Sequence, residues 1–280
     1  DQAGHAGGPL QDRPSAGRGP DPDRRLSREG EPDHDRPLQA DQAACTLLAQ
    51  QLKISKLHST VLVNRGTTDP AQAQLFLHPR IDDFHDPFLF THMHQAVSLL
   101  RKARDTQQTV MIFGDYDADG VCSTALVSEV FKEFGIEVIT YIPHRVKEGY
   151  GLNSQAVRIA REKKVGIVVT VDCGTASHQE IKELRSAGIE VIVTDHHELH
   201  GSVPADASCL LNPKVPGSGY PFRDLAGVGV AFKLCQALTG RTLKDKLDLV
   251  ALGTIADSVA LIGENRVIVK EGLVVISETK

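Results

Sequence analysis

The sequence predicts an α/β protein built on a doubly wound, mostly parallel sheet, with a helical lead-in before it and a helical part after it. Three observations carry this. From Thr109 onwards, short apolar runs alternate with amphipathic stretches, the rhythm of strand–helix units. The runs "TVMIF", "EVITYIP", "GIVVTVD", "EVIVTD" and "CLLN" are continuous rather than alternating, as in strands covered on both faces. Three of them end in charged residues, and open parallel sheets bind ligands at the carboxyl ends of their strands.

Residues 1–42 are rich in Gly, Pro, Asp and Arg, with few aliphatic side chains and no periodicity. Such a composition cannot bury enough apolar surface to offset its ordering entropy, so the segment reads as disordered or foreign to the fold. Residues 43–108 read as a helical lead-in. "AACTLLAQQL" and "STVLVNRG" predict short helices, and "DPAQAQLFL" has an Asp cap with Pro at the first helical position. "DPFLFTHMHQAVSLLRKARDT" predicts one longer amphipathic helix. Residues 109–262 hold the strands, with the helical patterns "GVCSTALVSEVFKEFG", "NSQAVRIAREKK" and "SHQEIKELRSAG" between them. From Asp224 the pattern is mostly helical: "DLAGVGVAFKLCQAL", "LKDKLDLVALGTIAD" and "ENRVIVKEGLVVIS". Residues 263–280 read as the start of a helical connector to a second domain that the chain does not include. No internal repeat is present.

The bulk properties exclude several classes. No stretch approaches the roughly 18 apolar residues of a membrane helix, and no secretory signal is visible. The five cysteines are scattered without a C-x-x-C pair, which fits reduced thiols in the cytosol better than disulfides or structural zinc. The net charge of −5 does not announce a nucleic-acid binder, but carboxylates committed to cations would lower it without making the working surface acidic. The chain does not begin with Met and ends abruptly, and reads as a fragment or a processed chain.

The chemistry gathers at the strand ends. "DYDADG" places Asp115, Asp117 and Asp119 directly after the first strand. Asp172 ends the third, and Asp195, His196 and His197 follow the fourth. Asp257, in "GTIADS", ends a predicted helix. A lone Asp at such a place is usually a turn former or helix cap. A whole set is not explained that way, because buried like charges cost several kcal/mol unless cations neutralise them. These carboxylates with two histidines suit two divalent ions, Mn²⁺ foremost and Mg²⁺ as the alternative. Zinc is disfavoured because no thiolate is suitably placed; Cys173 should point away from Asp172. Alternation in extended chain would let Asp117 and Asp119 each face a metal, with Asp115 joining them or acting from behind. Gly120 would then allow a close turn into the next helix. Two metals on carboxylates predict hydrolysis at phosphorus, with bound water acidified and both attacking and leaving oxygens stabilised.

"DYDADG", "VTVDCGT", "TDHHE" and "GTIAD" stand in the order of the four motifs of DHH phosphoesterases, and the chain resembles that family. "NRGTTDPAQAQLFLHP", "IPHRVKEGYGLN", "LNPK", "LAGVGVAFKL" and "LDLVALGTIADSVALIGENR" narrow the resemblance to the bacterial RecJ group of single-strand-specific 5′→3′ exonucleases. The resemblance implies that Asp117, Asp119, Asp172, His196 and Asp257 are metal ligands, with Asp172 bridging and Asp115 a ligand or near-ligand. It implies that His197 faces the scissile phosphate and that Asp195 orients the histidines. It further implies single-stranded DNA as substrate, DNA repair and recombination as setting, a bacterial cytoplasmic location, and a single-strand-binding protein or a helicase as partner. The basic stretch with His144, Arg145 and Lys147 ends the second strand, where it either holds DNA phosphates or is an ordinary solvated loop. "ADSVAL" departs from the group's usual "ADVVPL" after the ligand, which touches local packing rather than chemistry. The group's second catalytic domain is missing, so activity is expected to be weak; the chain also has no Trp and four Tyr for base stacking.

Two other readings compete: a DHH phosphoesterase for oligonucleotides, cyclic dinucleotides or pyrophosphate, and a catalytically silent DNA-binding relative. The flanking segments weigh against the first and the full carboxylate set against the second. A nucleotide-binding dehydrogenase is disfavoured, because "GVG" at 227–229 is not G-x-G-x-x-G.

Overall fold

The computed structural model describes residues 41–278, so the reading of residues 1–40 lies outside the described residues. The lead-in opens with α1 (Gln42–Leu52), α2 (Lys56–Asn64) and α3 (Pro70–Leu77). Each starts at a side-chain cap: Asp41 accepts from the N–H groups of Ala43 and Ala44, Ser55 from His58, and Asp69 from Gln72. The first cap sets the helix start at Gln42, inside the span read as disordered. Leu48, Leu62 and Ala73 form a small apolar cluster among these helices.

The single helix expected over residues 86–106 is broken. Asp86 caps a short 3-10 turn at Pro87–Leu89, and only after it does α4 (Met93–Asp105) begin. The break has a tertiary cause. Thr91 donates its backbone N–H to the Ser218 carbonyl (2.9 Å) and its hydroxyl to the Gly217 carbonyl (2.7 Å), which ties this corner to a distant loop. Helix α4 then buries Met93, Ala96, Val97, Leu100 and Ala103 against the main core.

The sheet contains β1 (Val110–Gly114), β2 (Val138–Tyr141), β3 (Ile167–Val171), β4 (Glu190–Thr194) and β5 (Cys209–Leu211), in the order β2-β1-β3-β4-β5. All four pairings are parallel. β1 and β3 are buried along their whole length, as their unbroken apolar runs require, whereas edge strand β2 is only half covered. α5 (Ala118–Glu133), α8 (Gly227–Thr239), α9 (Leu247–Ala256) and α10 (Gly263–Glu278) lie with α4 on one side of the sheet; α6 (Ser154–Glu162) and α7 (His178–Ser186) lie on the other. The chain order reverses at β1, whose carboxyl end therefore opens on a topological switch point.

One buried ion pair locks the C-terminal helix to this body. Lys233 of α8, with its side chain fully buried, meets Glu264 of α10 at 2.5 Å. Glu264 also accepts from the Tyr220 hydroxyl (2.6 Å) and the His85 N–H (3.0 Å). Removing the Glu264 charge leaves Lys233 buried without its counter-charge, with only the His85 carbonyl to accept from it (3.1 Å), so Glu264→Gln should cost about 3–5 kcal/mol. Urea unfolding measures this; a loss below about 1 kcal/mol would mean the pair is dispensable.

Candidate metal centre

Strand register builds the site. Gly114 lies beside Val171, and Val171 beside Thr194. The next residue on each chain segment is Asp115, Asp172 and Asp195, so three aspartates leave the sheet side by side. Asp172 holds its place in the left-handed region (φ 61°), which Asp tolerates better than most residues. Its N–H donates to the Thr194 carbonyl at 3.0 Å.

The extended-chain explanation of "DYDADG" does not hold. Helix α5 begins at Ala118, not at Gly120, because the Asp117 side chain accepts the Gly120 N–H (3.0 Å) and caps it. Asp117 is exposed and Asp119 buried in the first turn. Gly120 nevertheless makes the close approach expected of it: a Cβ there would lie 2.5 Å from the Asp115 carbonyl oxygen. Asp119 reaches across to the start of α8, where it accepts the N–H groups of Gly227 (2.7 Å) and Val228 (2.8 Å). That "GVG" would supply this cap was not legible in the sequence.

Among the described residues, three sets of side chains bring ligand atoms within 4.8 Å of one another: Asp115, Asp117 and Asp172; Asp119, His196 and Asp257; and Asp172, His196 and His197. His196 Nε2 lies 3.2 Å from Asp172, 3.7 Å from Asp257 and 3.9 Å from Asp119. Asp257 arrives as the C-terminal cap of α9 and is the more open member. Four buried atoms in this cluster make no hydrogen bond among the described residues: Asp115 Oδ1, Asp172 Oδ1, and both ring nitrogens of His196. Buried polar atoms left in this state are costly, and together they offer oxygen and imidazole nitrogen to a common space. That donor set fits Mn²⁺ or Mg²⁺ and contains no thiolate. Cys173 packs away from it, in the apolar cluster around Phe113 and Val193, as expected from its place after Asp172.

Burial, and then the charges of Asp119 and Asp117, push Asp172 up to about 10. Burial likewise raises Asp119 to about 6 and lifts Asp115. Burial lowers His196, which favours the neutral imidazole a metal needs. A cation would permit the carboxylates to ionise together.

Asp195 faces a different task. Its Oδ1 accepts from His196 N–H (2.7 Å), His197 N–H (3.1 Å) and His197 Nδ1 (2.7 Å), and its Oδ2 from Thr175 N–H (2.9 Å). Burial opposes its charge, but the hydrogen bond and charge of His197 outweigh that and hold it at about 2. The same bond lifts His197 to about 9 against the effect of burial. Both histidines thus share a set with Asp172, but only His197 is fixed by Asp195 through its ring and half exposed.

Two further residues touch this site and were not singled out from the sequence. The Tyr150 hydroxyl lies 3.1 Å from His197 Nδ1, and Asn212, after β5, donates to the His197 carbonyl (2.9 Å). The signal for Tyr150 was its place in "KEGYGLN", a loop at a strand end. Within the same loop, Arg145 lies over the Tyr116 ring, 5.0 Å from its centre, beside "DYDADG". His144 and Lys147 are exposed; the His144 ring accepts the Val146 N–H within its own turn, and no hydrogen bond or ion pair among the described residues joins either one to the carboxylates.

The DHH family, N-terminal domain, matches residues 109–254. A single-stranded-DNA-specific exonuclease RecJ from Bacillus subtilis (strain 168) is 46% identical over 233 residues, covering 83% of this chain and 30% of the relative. The Thermus thermophilus RecJ is 40% identical over 189 residues, covering 65% of this chain and 27% of that protein. Among solved structures, a RecJ in complex with Mn²⁺ from Thermus thermophilus superposes with a TM-score of 0.71 at 29% identity, over 86% of this chain and 34% of that one. An exonuclease RecJ bound to manganese gives 0.61 at 36% identity, over 66% and 48%. The chain therefore spans about a third of the curated relatives it matches. The family match runs from β1 into α9 and takes in the whole sheet with its strand-end aspartates and histidines: this chain belongs to the DHH family.

Proposed function

We propose that this chain is the metal-binding catalytic part of a single-stranded-DNA exonuclease of the RecJ type, hydrolysing phosphodiester bonds in the 5′→3′ direction with two divalent cations, Mn²⁺ foremost and Mg²⁺ as the alternative. The observation that carries the proposal is the convergence of Asp115 Oδ1, Asp172 Oδ1 and both His196 nitrogens, buried and without hydrogen bonds among the described residues. When bound, two such ions supply an acidified water and counter-charge for the oxygens that gain charge at phosphorus.

The ligands in this reading are Asp115, Asp117, Asp119, Asp172, His196 and Asp257. A bridging role for Asp172 is supported by its membership of the set with Asp115 and Asp117 and by its 3.2 Å approach to His196 Nε2 of the set with Asp119 and Asp257. Asp195 orients both histidines, since its Oδ1 accepts the backbone N–H of His196 and meets the ring Nδ1 of His197. His197 is half exposed and so open to a phosphate oxygen, with the Tyr150 hydroxyl 3.1 Å from its Nδ1. Arg145 lies over the ring of Tyr116, between Asp115 and Asp117 in the chain, and His144 and Lys147 are exposed in the same loop. Residues 43–108 serve as lead-in, 109–262 as the phosphoesterase domain, and 263–280 as the start of a connector. A cytoplasmic bacterial setting, DNA repair and recombination, and a single-strand-binding protein or helicase as partner rest on resemblance to RecJ. No helix among the described residues is long and apolar enough to cross a membrane.

The histidines should separate by experiment. His196→Ala should weaken Mn²⁺ binding about 10-fold or more, whereas His197→Ala should lower turnover with Mn²⁺ affinity nearly unchanged. Equal losses of affinity in calorimetric titrations would remove the distinction.

Substrate class is tested by Mn²⁺-dependent digestion of 5′-labelled single-stranded DNA, with a short dinucleotide as competitor. Shortening from the 5′ end of the long strand is expected. Turnover of the dinucleotide alone would point instead to a small-substrate phosphoesterase.

A further inference from the structure

The proposed centre depends on two helix ends that are far apart in sequence. Asp257 comes from the carboxyl end of α9, and Asp119 is held by the first N–H groups of α8. The two helices abut beside Asp119, since a Cβ on Gly253 would lie 2.9 Å from Val228 Cγ1 and 3.0 Å from Asp119 Oδ1. Yet the chain leaving Asp257 is irregular. Ser258 has a left-handed backbone (φ 61°), and residues 258–262 form no helix before α10 begins.

Asn265, on the first turn of α10, bridges these segments. Its side chain is fully buried. Nδ2 donates to the Asp224 carbonyl at 2.5 Å and to the Ala260 carbonyl at 3.0 Å. Asp224 stands three residues before Gly227, and Ala260 three residues after Asp257. One amide thus joins the chain entering α8 to the chain leaving Asp257. Two donors on one nitrogen are what this geometry needs; a carboxylate has none and a hydroxyl has one.

We propose that Asn265 is a positioning residue of the metal centre: it staples the start of α8 to the turn after Asp257 and so fixes Asp257 against Asp119 and His196. This rests on the two-cation reading of the site. Asn265 touches no reacting group itself. Without the staple, Asp257 and the Asp119 cap can drift apart, and the cation held by Asp119, His196 and Asp257 loses a fixed ligand set. The set of Asp115, Asp117 and Asp172 hangs on β1, β3 and the start of α5, and it should be largely spared.

The test is Mn²⁺ titration calorimetry on the whole chain, with thermal melts alongside, for wild type, Asn265→Ala and Ile268→Ala. Ile268 is fully buried on the same helix but lies in the apolar core, so it reports destabilisation alone. Asn265→Ala is expected to weaken one of two Mn²⁺ sites about tenfold or more, the range seen when a supporting residue behind a metal ligand is lost. Ile268→Ala is expected to lower the melting temperature with both affinities kept. A smaller loss in Asn265→Ala, or the same loss in Ile268→Ala, overturns the proposal. If Asn265→Ala does not fold, Asn265→Ser is judged by the same criterion, and failure of both to fold assigns the residue to the fold and also overturns it. Wild type that binds no Mn²⁺ would overturn the two-cation reading and the staple together, whereas intact binding in Asn265→Ala would overturn the staple alone.

Discussion

Asp172→Ala abolishes hydrolysis while the chain still folds: that is the largest effect expected of any single substitution. Asp172 belongs to the set with Asp115 and Asp117, and its Oδ1 lies 3.2 Å from Nε2 of His196 in the set with Asp119 and Asp257, so its loss disturbs both proposed cations at once. The expected fall in turnover is about 10³-fold or more, beyond the loss of a single hydrogen-bond donor at a developing oxyanion. Stability should change little. Burial, and then the charges of Asp119 and Asp117, push Asp172 up to about 10, so its removal relieves the cost of holding that carboxyl in the fold. Against that stands the left-handed backbone at φ 61°, where Ala is less at ease than Asp by about 1 kcal/mol. Asp172→Asn keeps the local backbone preference and should be equally inactive. Wild-type turnover by either folded variant at saturating Mn²⁺ would remove Asp172 from the mechanism.

Gly227→Ala should be nearly as damaging, though Gly227 carries no chemistry. A Cβ at this position would lie 2.3 Å from Asp172 Oδ1 and 2.7 Å from Asp172 Cγ, closer than real contacts allow. Either Asp172 leaves its place or α8 backs away, and α8 holds Asp119 through the N–H of Gly227 itself. A shift of about 1 Å at a reacting centre can cost about 10² in rate. Overpacking here should also cost about 1–3 kcal/mol of stability. Gly229→Ala, two residues on, is the control, since the atoms nearest its Cβ would be those of the Leu225 side chain, from 3.1 Å. Steady-state digestion by the two variants separates them: a Gly227→Ala enzyme as active as Gly229→Ala would show that the approach of α8 to Asp172 is not required.

Sequence made the sheet legible because its strands are buried apolar runs punctuated by turns, and burial of both faces leaves that signature directly. The strand-end aspartates were legible for the same reason: charge directly after an apolar run has few structural excuses. What stayed hidden was set by contacts distant in sequence. The break before α4 depends on Thr91 reaching residues 217 and 218. The start of α5 depends on a cap by Asp117, a residue whose spacing with Asp119 suggested extended chain instead. Tyr150 and Asn212 reach His197 only once the loop after β2 and the end of β5 fold over it. The role of "GVG" as the partner of Asp119 joins residues 108 and 109 positions apart, which no local pattern encodes.

The central claim is that the buried cluster around Asp172 is a two-cation centre. Equilibrium dialysis against Mn²⁺ with metal analysis of the retained protein tests it most directly, in wild type and in Asp172→Asn. Two ions per wild-type chain, falling below one in the variant at the same free Mn²⁺, is the result this account predicts. No retained Mn²⁺ in wild type, or two ions in both proteins, would contradict it.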